Sequence, residues 1–141
     1  MDRNAYFWQV MDGKMPPPGA AATLQIRFTH IDADAGTIET TFEAAAGFTN
    51  PAGHVQGGFL AAMLDDTMGP ALAAMLGEGE IAPTLNLNVS FERAAKVGTL
   101  TGKGRVLKRG RDVCFLAGEL YQDGQRVAAA TATALVRKTG G

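Results

Sequence analysis

The order of hydrophobic and polar positions predicts one long, buried helix in this chain. Residues 58–76 are almost all apolar, with alanine in many of the gaps, and Gly77 offers a stop. β-Branched residues are nearly absent there, and the segment is longer than a normal strand. Because Pro70 lies inside the segment, we expect a kink near Asp66 or Thr67.

Period-two alternation on both sides of this helix predicts strands. A short amphipathic helix at residues 3–11 is stopped by Pro16, Pro17 and Pro18, and alternation then begins at Leu24. The predicted strands cover residues 24–29, 37–42, 85–92, 98–107, 113–121 and 126–136. The turn Asp123-Gly124 is a strong hairpin signal between the last two. We therefore predict an α+β fold, in which an antiparallel sheet ending in a four-strand meander wraps around one central helix.

Composition narrows the class of protein. With 141 residues the chain suits a single domain, made of an N-terminal helix and proline-rich linker (1–19) and a core (20–138). A net charge of −1 gives no reason to expect a nucleic-acid partner. The apolar stretches are too broken for a membrane span, and the first residues lack the pattern of a signal or transit peptide, so we expect a cytoplasmic location. The one cysteine, Cys114, lies in an apolar run and is predicted to be a packed thiol.

The segment from Asn50 to Asp65 carries the most chemical information. Gly57 and Gly58 start the predicted helix and leave backbone that a ligand can approach closely. Free N–H groups at a helix start can stabilise a carbonyl oxygen that becomes negative during reaction. Burying an aspartate inside an apolar helix costs free energy, so the presence of Asp65 there suggests a functional role. These features suggest acyl chemistry.

The spacing of Gly57 and Asp65 raises the question of a shared site. Eight residues along one helix correspond to roughly 12 Å, too far for both to contact one carbonyl. Either the two features are unrelated, or Asp65 acts on a carbonyl held by another subunit of a two-fold dimer.

Simpler interpretations of these residues stay open on the sequence alone. Asp65 and Asp66 could be exposed or cap the kink, and a turn of about 100° per residue prevents both from aiming into one site. Asn50 could be a turn residue, and the cations at 103–111 could form either a solvated hairpin end or a small site for a phosphorylated ligand. His30 and His54 show no metal-ligand spacing with the carboxylates, so we predict no metal.

The architecture and this motif together resemble the PaaI-like branch of the hotdog-fold acyl-CoA thioesterases, within the 4-hydroxybenzoyl-CoA thioesterase superfamily. The resemblance covers about residues 20–138 and is sharpest in Asn50-x-x-Gly53-x-x-Gln56-Gly57-Gly58, followed by Asp65. Weaker support comes from residues 84–91, 93–98 and 108–111.

The resemblance implies roles for the motif residues. Gly57 would supply the N–H that polarises the thioester carbonyl, with Gly58 beside it at the substrate. Asp65 of the partner subunit would act as general base on water or attack the carbonyl directly. Asn50 would orient the carboxylate or the water, and Thr84 would lie near the water, although an ordinary strand position is equally open for Thr84.

The resemblance also assigns residues outside that motif and shows one departure. Lys108, Arg109, Gly110 and Arg111 would face the phosphates of coenzyme A. Many PaaI-like members carry histidine where this chain has Gln56, which can orient a carbonyl but cannot shuttle a proton. His54 would contact the substrate only if its loop bends inward.

The function implied by the resemblance is hydrolysis of acyl-CoA thioesters with an aromatic or medium-chain acyl group. The enzyme would use no cofactor, coenzyme A being part of the substrate, and would form a homodimer that pairs into a homotetramer. The alternative is a non-catalytic acyl-CoA binding or sensing module on the same fold. A hydratase would want a histidine paired with the acid, which this motif lacks.

Overall fold

The computed structural model describes residues 1–139 and confirms an antiparallel sheet around one long helix. The helices are α1 (Tyr6–Met11), α2 (Gly19–Leu24) and α3 (Gly57–Ala73), with a short 3-10 turn at Ala46–Phe48. The strands are β1 (Arg27–Asp32), β2 (Thr37–Ala44), β3 (Glu80–Ile81), β4 (Thr84–Phe91), β5 (Gly98–Arg109), β6 (Val113–Gln122), β7 (Gln125–Leu135) and β8 (Arg137–Lys138). No helix within residues 1–139 is long and apolar enough to cross a membrane.

The order of strands corrects the predicted meander. Six strands form one sheet in the order β1-β2-β5-β6-β7-β4, and β3 pairs with β8 separately. The strand β4 therefore lies beside β7, at the edge of the sheet, and not beside β5, which follows it in sequence. The hairpin between β6 and β7 is confirmed, because Asp123 and Gly124 both have positive φ, at 51° and 76°.

The chain between the prolines and β1 also differs from the prediction. Alternation from Leu24 predicted a strand, but Gly19–Leu24 is a helical turn and the strand starts at Arg27. Three alanines favour helix at this position, and Gln25 closes it in the left-handed conformation with φ 53°. The buried side chain of Leu24 thus reaches the core from a helix.

The helix α3 packs unusually close to the sheet because the facing strands carry glycine. A Cβ on Gly102 would lie 2.8 Å from Thr67 Oγ1, and one on Gly118 would lie 2.8 Å from Met68 Cγ. A Cβ on Gly104 would lie 3.0 Å from the carbonyl oxygen of Thr67. The absence of side chains at these positions lets the helix backbone approach β5 and β6.

A buried pair of hydroxyls fixes the rotation of α3 at the point of closest approach. Thr67 Oγ1 donates to the carbonyl oxygen of Met63 at 2.9 Å, so it accepts the hydrogen bond from Thr40 Oγ1 at 3.0 Å. Both threonines are fully buried. Because each hydroxyl has a partner, the pair can remain in an otherwise apolar interior.

The N-terminal helix α1 docks on the far end of α3. Trp8 Nε1 donates to the carbonyl oxygen of Ala74 at 3.0 Å, and Phe7 packs edge-on against Trp8 and Phe28. This contact holds α1 beside β1 and the C-terminal half of α3.

We expect Gly102→Ala to destabilise the protein by about 1–3 kcal/mol, because the added methyl would clash with the buried hydroxyls of Thr40 and Thr67, which join α3 to the sheet. Chemical denaturation of the purified variant measures this. Gly19→Ala is the control, since Gly19 is exposed and nothing outside its own helix would lie within 4 Å of a Cβ there. We expect this control to change stability by only a few tenths of a kcal/mol. Equal stability of the two variants would show that the close packing of α3 is unimportant.

Candidate functional site

A carboxylate and a hydroxyl meet in a cleft beside α3. Thr84 Oγ1, at the first residue of β4, donates to Asp65 Oδ1 at 2.8 Å. The cleft has a volume of about 400 Å³ and is otherwise lined mainly by apolar side chains from α2, α3 and the segment before β4. The structure therefore brings together two of the residues that the sequence placed in the site, and Thr84 fixes the direction of the second carboxylate oxygen.

Asp66 lies next to Asp65 and is more sequestered than the sequence suggested. Its Oδ2 is buried and has no hydrogen-bond partner within residues 1–139. Burial, and then repulsion by Asp65, raises the pKa of Asp66 to about 6. The simple interpretation of Asp66 was an exposed residue or a cap, whereas the structure shows a half-buried carboxyl that lines two cavities.

The glycine pair lies at the other end of the same helix. Gly57 and Gly58 occupy the first turn of α3, where N–H groups have no intrahelical acceptor. The carbonyl oxygen of Gln56 accepts from the N–H groups of Phe59 and Leu60, the two residues after the glycine pair. The exposed Gln56 side chain makes no capping hydrogen bond. The backbone donors of the glycine pair are thus open to a ligand.

A second cavity of about 420 Å³ opens at this helix start. Its walls include Gly57, Asn50, His54 and Phe91. The Phe91 ring packs so close to Gly57 that a Cβ added to this glycine would lie 3.0 Å from the ring. Asn50 Oδ1 accepts from the backbone N–H groups of Ala52 and His54 at 3.0 and 3.1 Å, so it organises the loop. Asn50 and His54 therefore share a cavity with Gly57, and neither lies at the Asp65 cleft.

The two halves of the expected site are separate within one chain. The cavity at Gly57 and the cleft at Asp65 have no lining residue in common. Eight residues of helix separate Gly57 from Asp65, which corresponds to about 12 Å along the axis.

The basic turn between β5 and β6 lies at the Asp65 end of the sheet. In the register of the strands, Arg109 pairs with Cys114, Cys114 with Ala134, and Ala134 with Thr84. Three strand spacings therefore separate Arg109 from Thr84, or roughly 14 Å between backbones.

The cations of the predicted cluster divide into two groups. Lys103 and Arg105 are on β5 and form ion pairs with Glu39 and Glu119, at 4.0 and 2.8 Å. Lys108, Arg109 and Arg111 are exposed at the turn with Gly110 between them, and none takes part in the four ion pairs within residues 1–139. One Arg109 Nη donates to the carbonyl oxygens of Gly110 and Arg111. The turn thus presents free positive charge.

Sequence reasoning missed the residues that surround these groups. Phe91 at the Gly57 cavity was not predicted, and neither was the contribution of Asp66 and Gly69 to the apolar cavity beneath α1. One signal for that cavity was present, since Asp66, Gly69 and Ala73 recur at helical spacing and leave a stripe of small side chains on α3. Within residues 1–139 no three histidine, cysteine, aspartate or glutamate side chains form a group that could hold a metal ion.

Comparison with known proteins decides the family. Residues 52–129, more than half of the chain, match the family described as the Thioesterase superfamily. The chain belongs to this superfamily. A phenylacetic acid degradation-related protein of Ralstonia eutropha JMP134 has a similar structure, with 46% sequence identity and a TM-score of 0.90 over 92% of this chain and 98% of that one. The comparison with curated proteins found no match.

Two more distant structures support the fold. The PaaI protein from the phenylacetic acid degradation operon of E. coli is 23% identical, with a TM-score of 0.80 over 96% of this chain and 94% of that one. A hypothetical thioesterase protein of Streptococcus pneumoniae TIGR4, solved with coenzyme A, is 24% identical, with a TM-score of 0.75 over 84% and 92%.

The resemblance to PaaI-like hotdog-fold proteins is thereby confirmed, and the thioesterase is a thioester hydrolase. The hotdog fold accounts for the sheet that wraps around α3.

Proposed function

We propose that this thioesterase hydrolyses acyl-CoA thioesters at a site shared between two subunits, with Asp65 as the catalytic carboxylate. The observation that carries the proposal is the position of both half-sites along β4. Asp65 accepts a hydrogen bond from Thr84, the first residue of β4. Gly57 lies against Phe91, the last residue of the same strand.

The edge of β4 provides the means to join the half-sites. One side of this eight-residue strand has no neighbour in the sheet, and Leu85 and Phe91 on it are 57% and 55% exposed. An open apolar edge favours pairing with another strand. Antiparallel pairing of two copies about a two-fold axis would set Thr84 beside Phe91 of the partner subunit. Asp65 would then face Gly57 of the partner subunit.

The proposed reaction combines a hydrogen-bond donor, the Gly57 N–H, with a carboxylate, Asp65 of the other subunit. The open N–H of Gly57 would donate to the thioester carbonyl oxygen and stabilise its negative charge as the tetrahedral intermediate forms. Asp65, with one oxygen held by Thr84, would either remove a proton from the attacking water or attack the carbonyl carbon itself. In both routes the carbon–sulfur bond breaks, coenzyme A leaves as the thiol, and water supplies the oxygen of the acid.

The remaining predicted residues would act on binding. Lys108, Arg109 and Arg111 are free cations suited to phosphate, and Gly110 lets the backbone turn between them. They lie at the Thr84 end of the sheet, where the thiol half of the substrate would leave the site. Gln56 and His54 would contact the carbonyl side, and Asn50 would hold their loop. Association of two dimers into a tetramer stays a prediction.

Asp65→Asn tests the function directly. We expect wild-type protein to release free thiol from a panel of acyl-CoAs and the variant to lose about 100-fold or more in kcat, because asparagine can neither take a proton nor attack. Gel filtration and circular dichroism check that the variant folds and assembles. An active variant would refute the role of Asp65, whereas wild type that binds acyl-CoA without thiol release would favour the sensing module.

Gly57→Pro removes one N–H with little effect on the helix. Gly57 is the first helical residue, a position where proline is common. Gln56 before it is extended (φ −61°, ψ 141°), which is the conformation that a residue preceding proline prefers. We expect a loss of about 100-fold in kcat. Gly57→Ala is the matched control, because it adds a Cβ against Phe91 but keeps the N–H. If alanine and proline cost the same activity, the N–H has no catalytic role.

A further inference from the structure

The loop between β4 and β5, residues 92–97, forms one side of the cavity at Gly57. Four of its residues line that cavity together with the glycine: Glu92, Arg93, Ala94 and Ala95. The loop belongs to no helix or strand, so its position depends on hydrogen bonds to neighbouring elements. A group that holds this loop therefore shapes the half-site at the start of α3.

A backbone hydrogen bond joins the loop to the segment that leads into Gly57. The N–H of Val55 donates to the carbonyl oxygen of Ala95 at 2.9 Å. Both residues are buried, so water competes little for this bond. Because Val55 is only two residues before Gly57, a shift of the loop is passed to the backbone at the helix start.

The β6–β7 hairpin holds the first end of the loop in more than one way. The N–H groups of Glu92 and Arg93 both donate to the carbonyl oxygen of Val127, at 2.8 and 3.1 Å. Arg126 forms a bidentate ion pair with the Glu92 carboxylate, with both N···O distances at 2.7 Å. This end therefore has main-chain as well as side-chain anchors.

The other end of the loop is held by one side chain of the same hairpin, Gln122. The N–H of Lys96 donates to Gln122 Oε1, and Gln122 Nε2 donates to the carbonyl oxygen of Lys96, both at 2.8 Å. Within residues 1–139 these are the hydrogen bonds that the main chain of Lys96 makes. The side-chain amide thus takes the place of a neighbouring strand, because it pairs with both the donor and the acceptor of one residue.

The position of Gln122 in the hairpin makes it a firm anchor. Gln122 is the last residue of β6, it pairs with Gln125 across the hairpin, and the turn Asp123-Gly124 follows it directly. A two-residue turn with positive φ at both positions fixes the register of the two strands. A side chain on such a rigid element holds a loop more precisely than one on another loop would.

We propose that Gln122 is a positioning residue for the Gly57 half-site. Its amide holds Lys96, and the loop in turn holds Val55 beside the glycine through Ala95. This inference rests on the proposed function, in which the Gly57 N–H stabilises the thioester carbonyl. Gln122 itself lies outside the wall of the Gly57 cavity and acts only through the loop. Because small displacements of a positioned group lower reaction rates strongly, loss of this amide should appear in catalysis.

The variant Gln122→Met keeps the length of the side chain and removes both polar groups. We expect kcat for thiol release from an acyl-CoA to fall about tenfold, with KM within about twofold of wild type, because the cations proposed to bind coenzyme A are on a different turn. Gln125→Met is the matched control, since Gln125 is exposed and lies opposite Gln122, and it should keep the wild-type kcat. If Gln122→Met fails to fold, Gln122→Glu replaces it. Glutamate keeps the acceptor for Lys96 but cannot donate, so it should lower kcat by a smaller factor.

Amide hydrogen exchange, followed by NMR, tests whether Gln122 acts through the loop. We expect the Val55 N–H to exchange about tenfold faster in Gln122→Met than in wild type, because its acceptor on Ala95 is no longer held in place. Amides in the middle of α3 should exchange as in wild type. An unchanged rate at Val55 would overturn the inference.

Two heterodimers with a different affinity tag on each chain show which half-site Gln122 supports. In the first, one chain carries Gln122→Met and the other Asp65→Asn, so one site combines an unaltered Gly57 half-site with an intact Asp65. We expect about half of the wild-type activity. In the second, both changes are on one chain and the partner is wild type. The site that keeps Asp65 then uses the Gly57 half-site of the altered chain, so we expect about one-twentieth.

The outcomes separate this inference from the proposed function. Equal activity of the two heterodimers, or wild-type kcat in Gln122→Met, overturns the role of Gln122 while thioester hydrolysis stands. The reverse order of the two activities overturns that role as well. A mixed dimer of Asp65→Asn and Gly57→Pro chains, which leaves Gln122 intact, then shows whether the shared site fails with it. No thiol release by wild type from any acyl-CoA overturns the proposed function itself.

Discussion

The close approach of α3 to the sheet is the constraint on which the rest of the molecule depends. Gly102, Gly104 and Gly118 make room for the helix, and the hydrogen bond between Thr40 and Thr67 fixes its rotation. Thr67 points into the sheet. Since a helix turns about 100° per residue, Asp65 two positions earlier faces nearly the opposite way. The same contact that buries the helix therefore directs the carboxylate toward Thr84 at the sheet edge.

Under the proposed function, the position of both groups on α3 is the reason that one chain would not complete the site. Gly57 and Asp65 are on one helix, eight residues apart, and cannot approach each other, however the loops move. The strand β4 runs between them, with one half-site at each end and an unpaired edge outward. A two-fold axis through the middle of that edge is a simple way to bring the ends together, and it would create two equivalent sites at once.

The sequence predicted the helix and most strands because these depend on local rules, and it selected Gly57 and Asp65 as candidate site residues on the same basis. A glycine pair at a helix start and a carboxylate in an apolar helix both break a local preference, and such violations mark function. The edge position of β4 could not be predicted, because strand pairing over long sequence distance leaves no local pattern. The alignment of Arg109 with Thr84 appears only through that pairing.

Two other features were missed for different physical reasons. The alternation of Leu24, Ile26 and Phe28 is typical of a strand, and it hid the preference of the preceding alanines for helix. Asp66 lines a cavity together with residues of α1, whose docking on Ala74 is a tertiary contact over 66 residues. Neither neighbour of Asp66 in sequence indicates that contact.

The central claim, a site made by two subunits, is tested most directly by mixed dimers of Asp65→Asn and Gly57→Pro chains. With a different affinity tag on each chain, the heterodimer is purified and its thiol release compared with that of both homodimers. One of its two sites would combine an intact Asp65 with an intact Gly57, so we predict about half of the wild-type activity. A heterodimer as inactive as its parent homodimers would contradict the shared site.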